Sequence, residues 1–374
     1  MIRSFAFAIS VLLCASTLAQ TPLLPATTAR SWLLLDVTAN HIIAASNAED
    51  RIEPASLTKL MSAYVVFSAI KEGKLTRTQV IPVSEKAWKT GGSRMFIEPK
   101  KPVTTEELLQ GMIVQSGNDA SVALAEATAG SEDAFVQQMN VAAKKIGLMN
   151  SNFVNASGLP DGKQFSTAFD LALVATAIIR EFPDFYPLYA LKEFRYNNIT
   201  QANRNRLLWL DSHVDGVKTG HTEKAGFCLI ASAKRGERRL LAVVMGTPSD
   251  TIRAQEAQTL LNFGFQHYDT VRVHEKGTSI AKVRVWKGTT SEVAVGMDAT
   301  ILVAIPRGTN DKIKAELATE QPVYAPITKG QRMGTVKVSY EGRPLGDHPA
   351  IALEAVSSAG IVGRAWDTMK LWIK

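Results

Sequence analysis

Three short motifs that could together acylate a serine follow one another along the chain. They are Ser-x-x-Lys at 56–59, Ser-x-Asn at 116–118 and Lys-Thr-Gly at 218–220. The first pairs a hydroxyl nucleophile with a lysine base, the second adds a hydroxyl that can relay a proton, and the third adds a cation that can bind a carboxylate. Their order along the chain predicts nucleophilic catalysis by a serine that needs no histidine.

The Ser-x-x-Lys motif occurs three times, and only the neighbouring sequence can choose among the copies. Ser-x-Asn at 116–118 occurs once, whereas Ser-x-x-Lys stands at 56–59, 68–71 and 279–282. The copy at 68–71 falls at the C-terminal end of a helical pattern, where lysine is common. The copy at 279–282 falls in an alternating pattern, and residues i and i+3 of a strand face opposite ways. We interpret both of these copies as structural.

The copy at 56–59 stands where a buried helix should begin. Pro54 precedes it and apolar residues recur from 57 to 70, which predicts a helix that starts at or just before Ser56. Residues i and i+3 share a helix face, so the side chains of Ser56 and Lys59 can meet. Free backbone N–H groups at the helix start would stabilise negative charge that develops beside the serine.

The Lys-Thr-Gly motif occurs twice, at 89–91 and 218–220. The first copy lies in a glycine turn between short segments. The second precedes two apolar runs, 225–232 and 240–245, which are joined by a polar turn and predict an antiparallel hairpin in a buried sheet. We therefore choose the second copy, where Gly220 would let a substrate backbone approach closely.

With these motifs, the chain resembles the low-molecular-mass penicillin-binding proteins, which are D-alanyl-D-alanine carboxypeptidases of the bacterial cell wall. The stretches that carry the resemblance are 53–59, 91–96, 115–120 and 215–222. The likeness extends over nearly everything after residue 19. It implies an α/β (α+β) catalytic domain of the β-lactamase/transpeptidase type at 29–265.

Periodicity along the chain predicts the same layered domain. A hairpin at 32–45 precedes the helices, and the strands at 225–245 are followed by a helix at 252–265. The intervening helical patterns stand at 57–72, 105–114, 118–130, 132–146 and 168–181. Strands at both ends with helices inserted between them give a sheet covered by helices.

The last hundred residues differ from the rest of the chain in their hydrophobic pattern. The length of 374 residues also suggests about two domains. Short alternating stretches cut by glycine and proline predict a small all-β domain at 266–356, which we interpret as a structural spacer. The tail at 357–374 predicts an amphipathic helix whose aromatic and basic residues would lie in a membrane interface. The resemblance also favours this anchoring, and packing of the helix on the β domain stays open as the alternative.

The N-terminus predicts export. Arg3, an apolar segment at 5–13 and a small-residue cleavage site predict a signal peptide at 1–19, followed by a linker at 20–28. Its removal leaves Cys228 as the only cysteine, which excludes an internal disulfide and favours a buried apolar role.

Composition limits the partners of an exported chain. The formal charge of +7 favours an anionic membrane surface or an acidic wall polymer over nucleic acid. The histidines show no metal-ligand spacing and no phosphate-binding glycine motif occurs, so we predict no metal and no cofactor. The expected location is the periplasmic face of the bacterial inner membrane, and homodimer formation is left open.

The resemblance assigns roles to the motif residues. Ser56 would attack the carbonyl between the two terminal D-alanines of a peptidoglycan stem peptide, and neutral Lys59 would accept its proton. Ser116 would relay the proton to the leaving D-alanine, and Asn118 would orient Lys59 and the substrate amide. The backbone N–H groups of Ser56 and His221 would form the oxyanion hole.

Substrate binding is expected to rely on cations. Lys218 and Thr219 would hold the terminal carboxylate, and Arg253 is a candidate second anchor because guanidinium binds carboxylate bidentately. Burial and the charge of Lys218 should both lower the pKa of Lys59. Water would then release the acyl-enzyme, and β-lactams would be covalent inhibitors.

Three alternative functions were weighed. A class A β-lactamase needs a glutamate-activated water, yet the loop at 152–170 has no glutamate and only Asp161 and Asp170 as carboxylates. A DD-endopeptidase is the closer alternative, although relatives with that activity usually lack the β domain and the tail. A non-catalytic cell-shape binding protein is disfavoured by the intact motifs.

Overall fold

Helices and strands alternate through the first two thirds of the chain, and strands alone follow until a final helix. The computed structural model describes residues 23–372, so the predicted signal peptide at 1–19 lies outside the described residues. The helices are α1 Lys59–Lys71, α2 Glu85–Lys89, α3 Thr105–Gln110, α4 Asn118–Ala129, α5 Glu132–Ile146, α6 Ala168–Glu181, α7 Leu207–Leu210, α8 Asp250–His267 and α9 Ile361–Trp372. The strands are β1 Ser31–Asp36, β2 His41–Ser46, β3 Val80–Ile81, β4 Val103–Thr104, β5 Glu193–Tyr196, β6 Ile199–Ala202, β7 Val214–Thr222, β8 Gly226–Arg235, β9 Arg238–Thr247, β10 Tyr268–His274, β11 Ser279–Trp286, β12 Glu292–Met297, β13 Ile301–Pro306, β14 Ile313–Ala318, β15 Val323–Tyr324, β16 Arg332–Tyr340 and β17 Arg343–Ala352.

One antiparallel sheet forms the centre of the first domain, in the order β2-β1-β9-β8-β7. Strand β9 is apolar on both faces because each face is covered by helices. Leu241 and Val243 face the core that contains α1, α4 and α6. Leu240 and Val244 face the core that contains α8. The predicted α/β layered fold is confirmed. The Lys-Thr-Gly motif at 218–220 lies on β7, at the edge of the sheet.

Ser56 stands in a 3-10 turn, Ala55–Thr58, that leads directly into α1. Helix α1 is buried over nearly its whole length, as expected for a helix that is apolar all round. Just before the serine, Ala55 has φ +47°, a left-handed conformation that a residue with a Cβ adopts only where its surroundings hold it.

The all-β region after α8 is a separate domain, as predicted. It contains the pair β10-β13 and a six-stranded sheet in the order β14-β16-β17-β12-β11-β15. Its core consists of buried aliphatic side chains, among them Val295, Val303 and Val336. Alternation of such residues with exposed polar ones along each strand gave the sequence signal.

A buried carboxylate ties this domain to the central sheet. Asp36 at the end of β1 accepts hydrogen bonds from Arg238 Nε at 2.8 Å and from Thr270 Oγ1 at 2.5 Å. Arg238 Nη1 also donates to the carbonyl oxygen of Tyr268 at 2.5 Å. Three strands, β1, β9 and β10, therefore meet at one ion pair.

The predicted tail helix is present as α9, and its apolar side chains are exposed. Ile361, Val362, Trp366, Met369 and Trp372 are between 47% and 89% exposed. Among the described residues, one side-chain hydrogen bond links the helix to the β domain: the carboxylate of Asp367 accepts it from the backbone N–H of Lys287 at 2.6 Å. Within residues 23–372, no helix combines the length and apolar character needed to cross a membrane.

Candidate active site

A groove of about 690 Å³ runs beside strand β7 and contains the predicted site. Seven of the nine predicted site residues line it, and the other two, Lys59 and Lys218, are buried, at 2% and 3% exposure. The lining consists of Ser56, Gly92, Ser93, Ser116, Asn118, Gly158, Leu159, Pro160, Asn203, Arg204, Arg206, Thr219, Gly220, His221, Thr222, Phe227, Asp250 and Arg253. The three motifs, which span more than 160 residues of sequence, thus converge on one surface.

Lys59 lies at the centre of a small hydrogen-bond network. Its Nζ is 3.0 Å from Ser56 Oγ, 2.7 Å from Asn118 Oδ1 and 2.5 Å from the carbonyl oxygen of Ser157. The contact with Ser56 is the i, i+3 contact expected at the start of the helix. Ser56 itself is partly exposed to the groove, so its hydroxyl can meet a ligand and the amine at once.

Both lysines are less basic than usual. Burial and the charge of Arg204 lower the pKa of Lys59 to about 7, against the opposing effect of the Asp119 carboxylate. The neighbouring charge that lowers the pKa of Lys59 is therefore that of Arg204, whereas the prediction from the sequence was that of Lys218. Burial also lowers the pKa of Lys218, assisted by the charges of Lys59, Arg204 and Arg253. At neutral pH a substantial fraction of Lys59 is a neutral amine that can accept a proton.

Ser116 is presented by an irregular piece of backbone. A π-helical turn, Gly111–Gln115, continues α3, and Ser116 follows with φ +69°. The sequence predicts a regular helix over 105–114, but the wider π turn ends the regular helix at Gln110. Such turns are frequent at functional sites. The hydroxyl of Ser116 is buried without a hydrogen-bond partner among the described residues, so its donor and acceptor capacity is available to a ligand.

Asn118 and Asp119 fix the opposite wall of the groove. The Asn118 side chain donates to the carbonyl oxygen of Gly91 at 2.8 Å, and its backbone N–H donates to that of Ser93 at 2.7 Å. The buried carboxylate of Asp119 accepts hydrogen bonds from the backbone N–H groups of Met95 and Phe96, both at 2.9 Å. These hydrogen bonds join 91–96 to 115–120, two of the stretches that carry the family resemblance.

Strand β7 brings Lys-Thr-Gly against the turn that contains the serine. A Cβ at Gly220 would lie 3.1 Å from the carbonyl oxygen of Pro54 and 3.3 Å from the nitrogen of Leu57. A side chain at this position would require the serine turn to shift by a few tenths of an ångström, so glycine favours the close approach of the strand to the turn. Among the described residues, the side chain of Lys218 donates one hydrogen bond, to the carbonyl oxygen of Thr219 at 3.2 Å.

Arg253 and His221 complete this wall. Arg253 Nη1 donates to the carbonyl oxygen of Gly220 at 3.1 Å, and its other terminal nitrogen pairs with Asp250. The His221 ring is exposed in the groove and packs on the Phe227 ring at 4.0 Å between centroids. Arg253 thus lies in the groove as predicted, with part of its guanidinium already engaged.

The segment 203–206 also lies at the groove, although none of its residues is among the predicted site residues. Asn203 and Asn205 are buried and Arg204 and Arg206 are exposed, so asparagines face inward and arginines face the groove. Asn205 Nδ2 donates to the carbonyl oxygen of Gly216 at 2.9 Å and holds the segment beside β7. The alternation of asparagine and arginine was the available signal. Among the described residues, Arg204 has no hydrogen-bond or ion-pair partner.

The loop between α5 and α6 contributes three residues to the groove lining, and none of them carries a carboxylate. Its lining residues are Gly158, Leu159 and Pro160. Asp170 is turned away and accepts hydrogen bonds from Asn150 N at 2.8 Å and from the adjacent serine hydroxyl at 2.7 Å. This is the structural role expected of an aspartate at the start of a helix.

Comparison with known proteins gives the same result for both domains. Residues 17–249 match the D-alanyl-D-alanine carboxypeptidase family, and residues 268–358 match the C-terminal domain of penicillin-binding protein 5. D-alanyl-D-alanine carboxypeptidase DacC of Escherichia coli is 42% identical over 356 residues, which cover 93% of this chain and 89% of that protein.

Solved structures agree. The structure of penicillin-binding protein 5 from Haemophilus influenzae superposes with a TM-score of 0.86 at 38% identity and covers 90% of this chain and 100% of that one. Penicillin-binding protein D2 from Listeria monocytogenes, in an ampicillin-bound form, has a TM-score of 0.61 at 28% identity over 66% of this chain and 100% of that one. The chain therefore belongs to the D-alanyl-D-alanine carboxypeptidase family of penicillin-binding proteins, and it is a serine-type D-Ala-D-Ala carboxypeptidase.

Proposed function

We propose that Ser56 is the nucleophile that removes the terminal D-alanine from peptidoglycan stem pentapeptides and so limits crosslinking. The observation that carries this assignment is the contact of 3.0 Å between Ser56 Oγ and the buried Nζ of Lys59, whose pKa is lowered to about 7. A lysine that is half neutral near pH 7 can take the serine proton during attack.

Acylation then follows from the geometry of the groove. Ser56 Oγ bonds to the carbonyl carbon while its proton passes to Lys59, and the carbonyl oxygen becomes an oxyanion facing the backbone N–H groups of Ser56 and His221. The C–N bond then breaks, and the amine of D-alanine leaves with a proton relayed through Ser116. Water attacks the resulting ester and restores the serine. Asn118, which contacts Lys59 directly, orients the base throughout.

The cations on the β7 side hold the carboxylate of the terminal D-alanine. Lys218 and Thr219 are the proposed primary contacts, and binding of the carboxylate supplies the counter-charge that the buried Lys218 lacks. Arg253 acts as a second anchor through those N–H groups that its contacts with Asp250 and Gly220 leave available. Arg204, which also lines the groove, adds a third positive group.

β-Lactams are proposed to acylate Ser56 and to leave slowly. The ampicillin-bound Listeria relative supports binding of this class of compound, and the lack of a loop carboxylate at the groove supports slow release. The C-terminal domain and tail favour a carboxypeptidase over a DD-endopeptidase.

Mass spectrometry of the protein after brief incubation with penicillin, followed over time beside D-alanine release from a D-Ala-D-Ala peptide, tests the proposal. A persistent adduct on Ser56 together with D-alanine release is expected. Rapid loss of the adduct without peptide turnover would indicate a β-lactamase. Absence of both an adduct and release would indicate a binding protein.

We also propose that the protein acts at the periplasmic face of the inner membrane and lies on it through α9. The exposed apolar side chains of Ile361, Trp366 and Trp372 support this placement, because aromatic residues beside basic ones favour the interface. Sedimentation with anionic lipid vesicles should show binding that Trp366→Ser weakens. Equal binding of both proteins would contradict the role of α9, and Tyr324→Ser, an exposed aromatic of the β domain, is the matched control.

A further inference from the structure

One hydrogen bond joins the serine turn to strand β7 across 169 residues of sequence. Thr222 Oγ1 donates to Glu53 Oε1 at 2.7 Å, and the same hydroxyl accepts from the backbone N–H of Ala225 at 2.9 Å. Glu53 is 8% exposed, and Thr222 is its one hydrogen-bond partner among the described residues. A charge-assisted bond in such a place is short and directional.

The two residues flank the groups that must hold the oxyanion. Glu53 stands three positions before Ser56, and Thr222 directly follows His221. Gly220 brings the backbone of β7 to within van der Waals contact of the turn at Pro54 and Leu57. The distance between the backbone N–H groups of Ser56 and His221 therefore depends on how firmly this turn and this strand are held together.

The serine turn needs such support. Ala55 has φ +47°, and a left-handed alanine is held in place by its neighbours. On its N-terminal side, Ile52 exchanges two backbone hydrogen bonds with Ser166, at 2.8 and 3.0 Å. Glu53 is the next residue, and its bond to Thr222 is the side-chain hydrogen bond that ties the turn to β7.

We infer that Glu53 and Thr222 form a positioning pair that sets the separation of the two oxyanion-hole N–H groups. This inference rests on the proposed function. The pair makes no hydrogen bond to the base, since the hydrogen-bond partners of Lys59 are Ser56, Asn118 and Ser157. Thr222 lines the groove, but its hydroxyl is already engaged by Glu53 and by the backbone N–H of Ala225. Its loss should impair stabilisation of the tetrahedral intermediate and leave the proton-accepting step unchanged.

The test uses Glu53→Ala and Thr222→Val, with Glu53→Gln and Thr222→Ser as variants that keep an acceptor or a hydroxyl. Each disruptive change should lower kcat/KM for a D-Ala-D-Ala peptide by about 30-fold, since misplacing or losing an oxyanion donor costs on the order of 10²-fold. Affinity for a peptide boronic acid, whose adduct is tetrahedral, should fall by a similar factor. The two conservative variants should retain most of the activity, and the double variant should lose no more than the worse single one.

The pH profile separates positioning from a general loss of structure. The plateau of kcat/KM should fall in the disruptive variants while its acid midpoint stays in place, because the base is untouched. Tyr64→Phe is the matched control, since it removes another hydroxyl–carboxylate hydrogen bond, from Tyr64 to Glu181 at 2.9 Å, in the middle of α1.

Three results would overturn the inference: losses no larger than those of Tyr64→Phe, an inactive Glu53→Gln variant with normal thermal stability, or a shifted midpoint. Failure of the unmodified protein to form a penicillin adduct or to release D-alanine would instead reject the proposed function.

Discussion

Five side chains of the candidate active site are each at most 5% exposed: Lys59, Ser116, Asn118, Lys218 and Arg253. The described residues from 268 to 358 bury one polar side chain to this degree, that of Thr309. The first region holds like charges close together without full compensation, and the second is built from aliphatic side chains. Burying an ammonium costs several kcal/mol unless it is paired. A fold retains such groups where chemistry requires them, so the contrast separates the catalytic region from a structural one.

The sharpest test of this contrast is Lys59→Met. Acylation by penicillin should slow by roughly 10²- to 10⁴-fold, the usual contribution of a general base. Lys71→Met is the matched control because Lys71 is the lysine of a second Ser-x-x-Lys motif and is exposed at the far end of α1. Stopped-flow acylation measures both, and a Lys59→Met variant that acylates at more than about a tenth of the normal rate would contradict its role.

The pH dependence should follow the same lysine. The neutral amine is the active form, so the acylation rate should fall about tenfold per pH unit below the Lys59 pKa of about 7 and level off above it. Arg204→Gln removes a charge that lowers this pKa and should move the midpoint to higher pH. A rate that is constant from pH 8 to pH 5 would show that Lys59 does not act as the base.

Lys218→Met should separate binding from stability. Without the cation, kcat/KM for the peptide should fall by roughly 10- to 100-fold, as expected for a charge-assisted hydrogen bond. The free energy of unfolding should rise by about 1 kcal/mol, because a buried ammonium with a single backbone partner is removed. Denaturant unfolding beside Lys234→Met, an exposed lysine on β8, checks this, and a loss of stability in Lys218→Met would break the contrast.

A substitution in the core of the β domain should have the opposite effect to Lys218→Met, lowering stability without lowering activity. Val295→Ala removes a fully buried side chain and should lower the free energy of unfolding of that domain by about 2 kcal/mol. The kcat/KM for the peptide should stay unchanged. A matching loss of activity would mean that the β domain takes part in organising the groove.

The parts of the fold that the sequence predicted well are those with strong local signals. Helix α6 was predicted at 168–181 and ends at those residues, because its apolar spacing is regular and Thr167 caps its start through the N–H of Asp170 at 3.0 Å. Seven of the nine site residues were found from the order of the motifs, His221 was added from the family resemblance, and Arg253 was added because guanidinium binds carboxylate. The structure places all nine at one groove.

Long-range contacts account for what the sequence did not show. The region 186–210 has short elements without a clear period, and Asn203 is held by the carbonyl oxygen of Leu191 at 2.9 Å. This hydrogen bond holds the neighbouring Arg204 close to Lys59 and Lys218. The bond between Glu53 and Thr222 likewise joins residues whose proximity no local pattern encodes.

The ion pair at Asp36 has a consequence for exchanging modules between relatives. A chimera joined just after α8 would receive a foreign β10, and with it another residue at position 270. If that residue lacks a hydroxyl, Asp36 would lose the hydrogen bond from position 270. The loss would then destabilise the central sheet of the recipient and not the grafted β domain. A chimera should therefore be joined beyond Thr270, so that the start of β10 comes from the same parent as the central sheet.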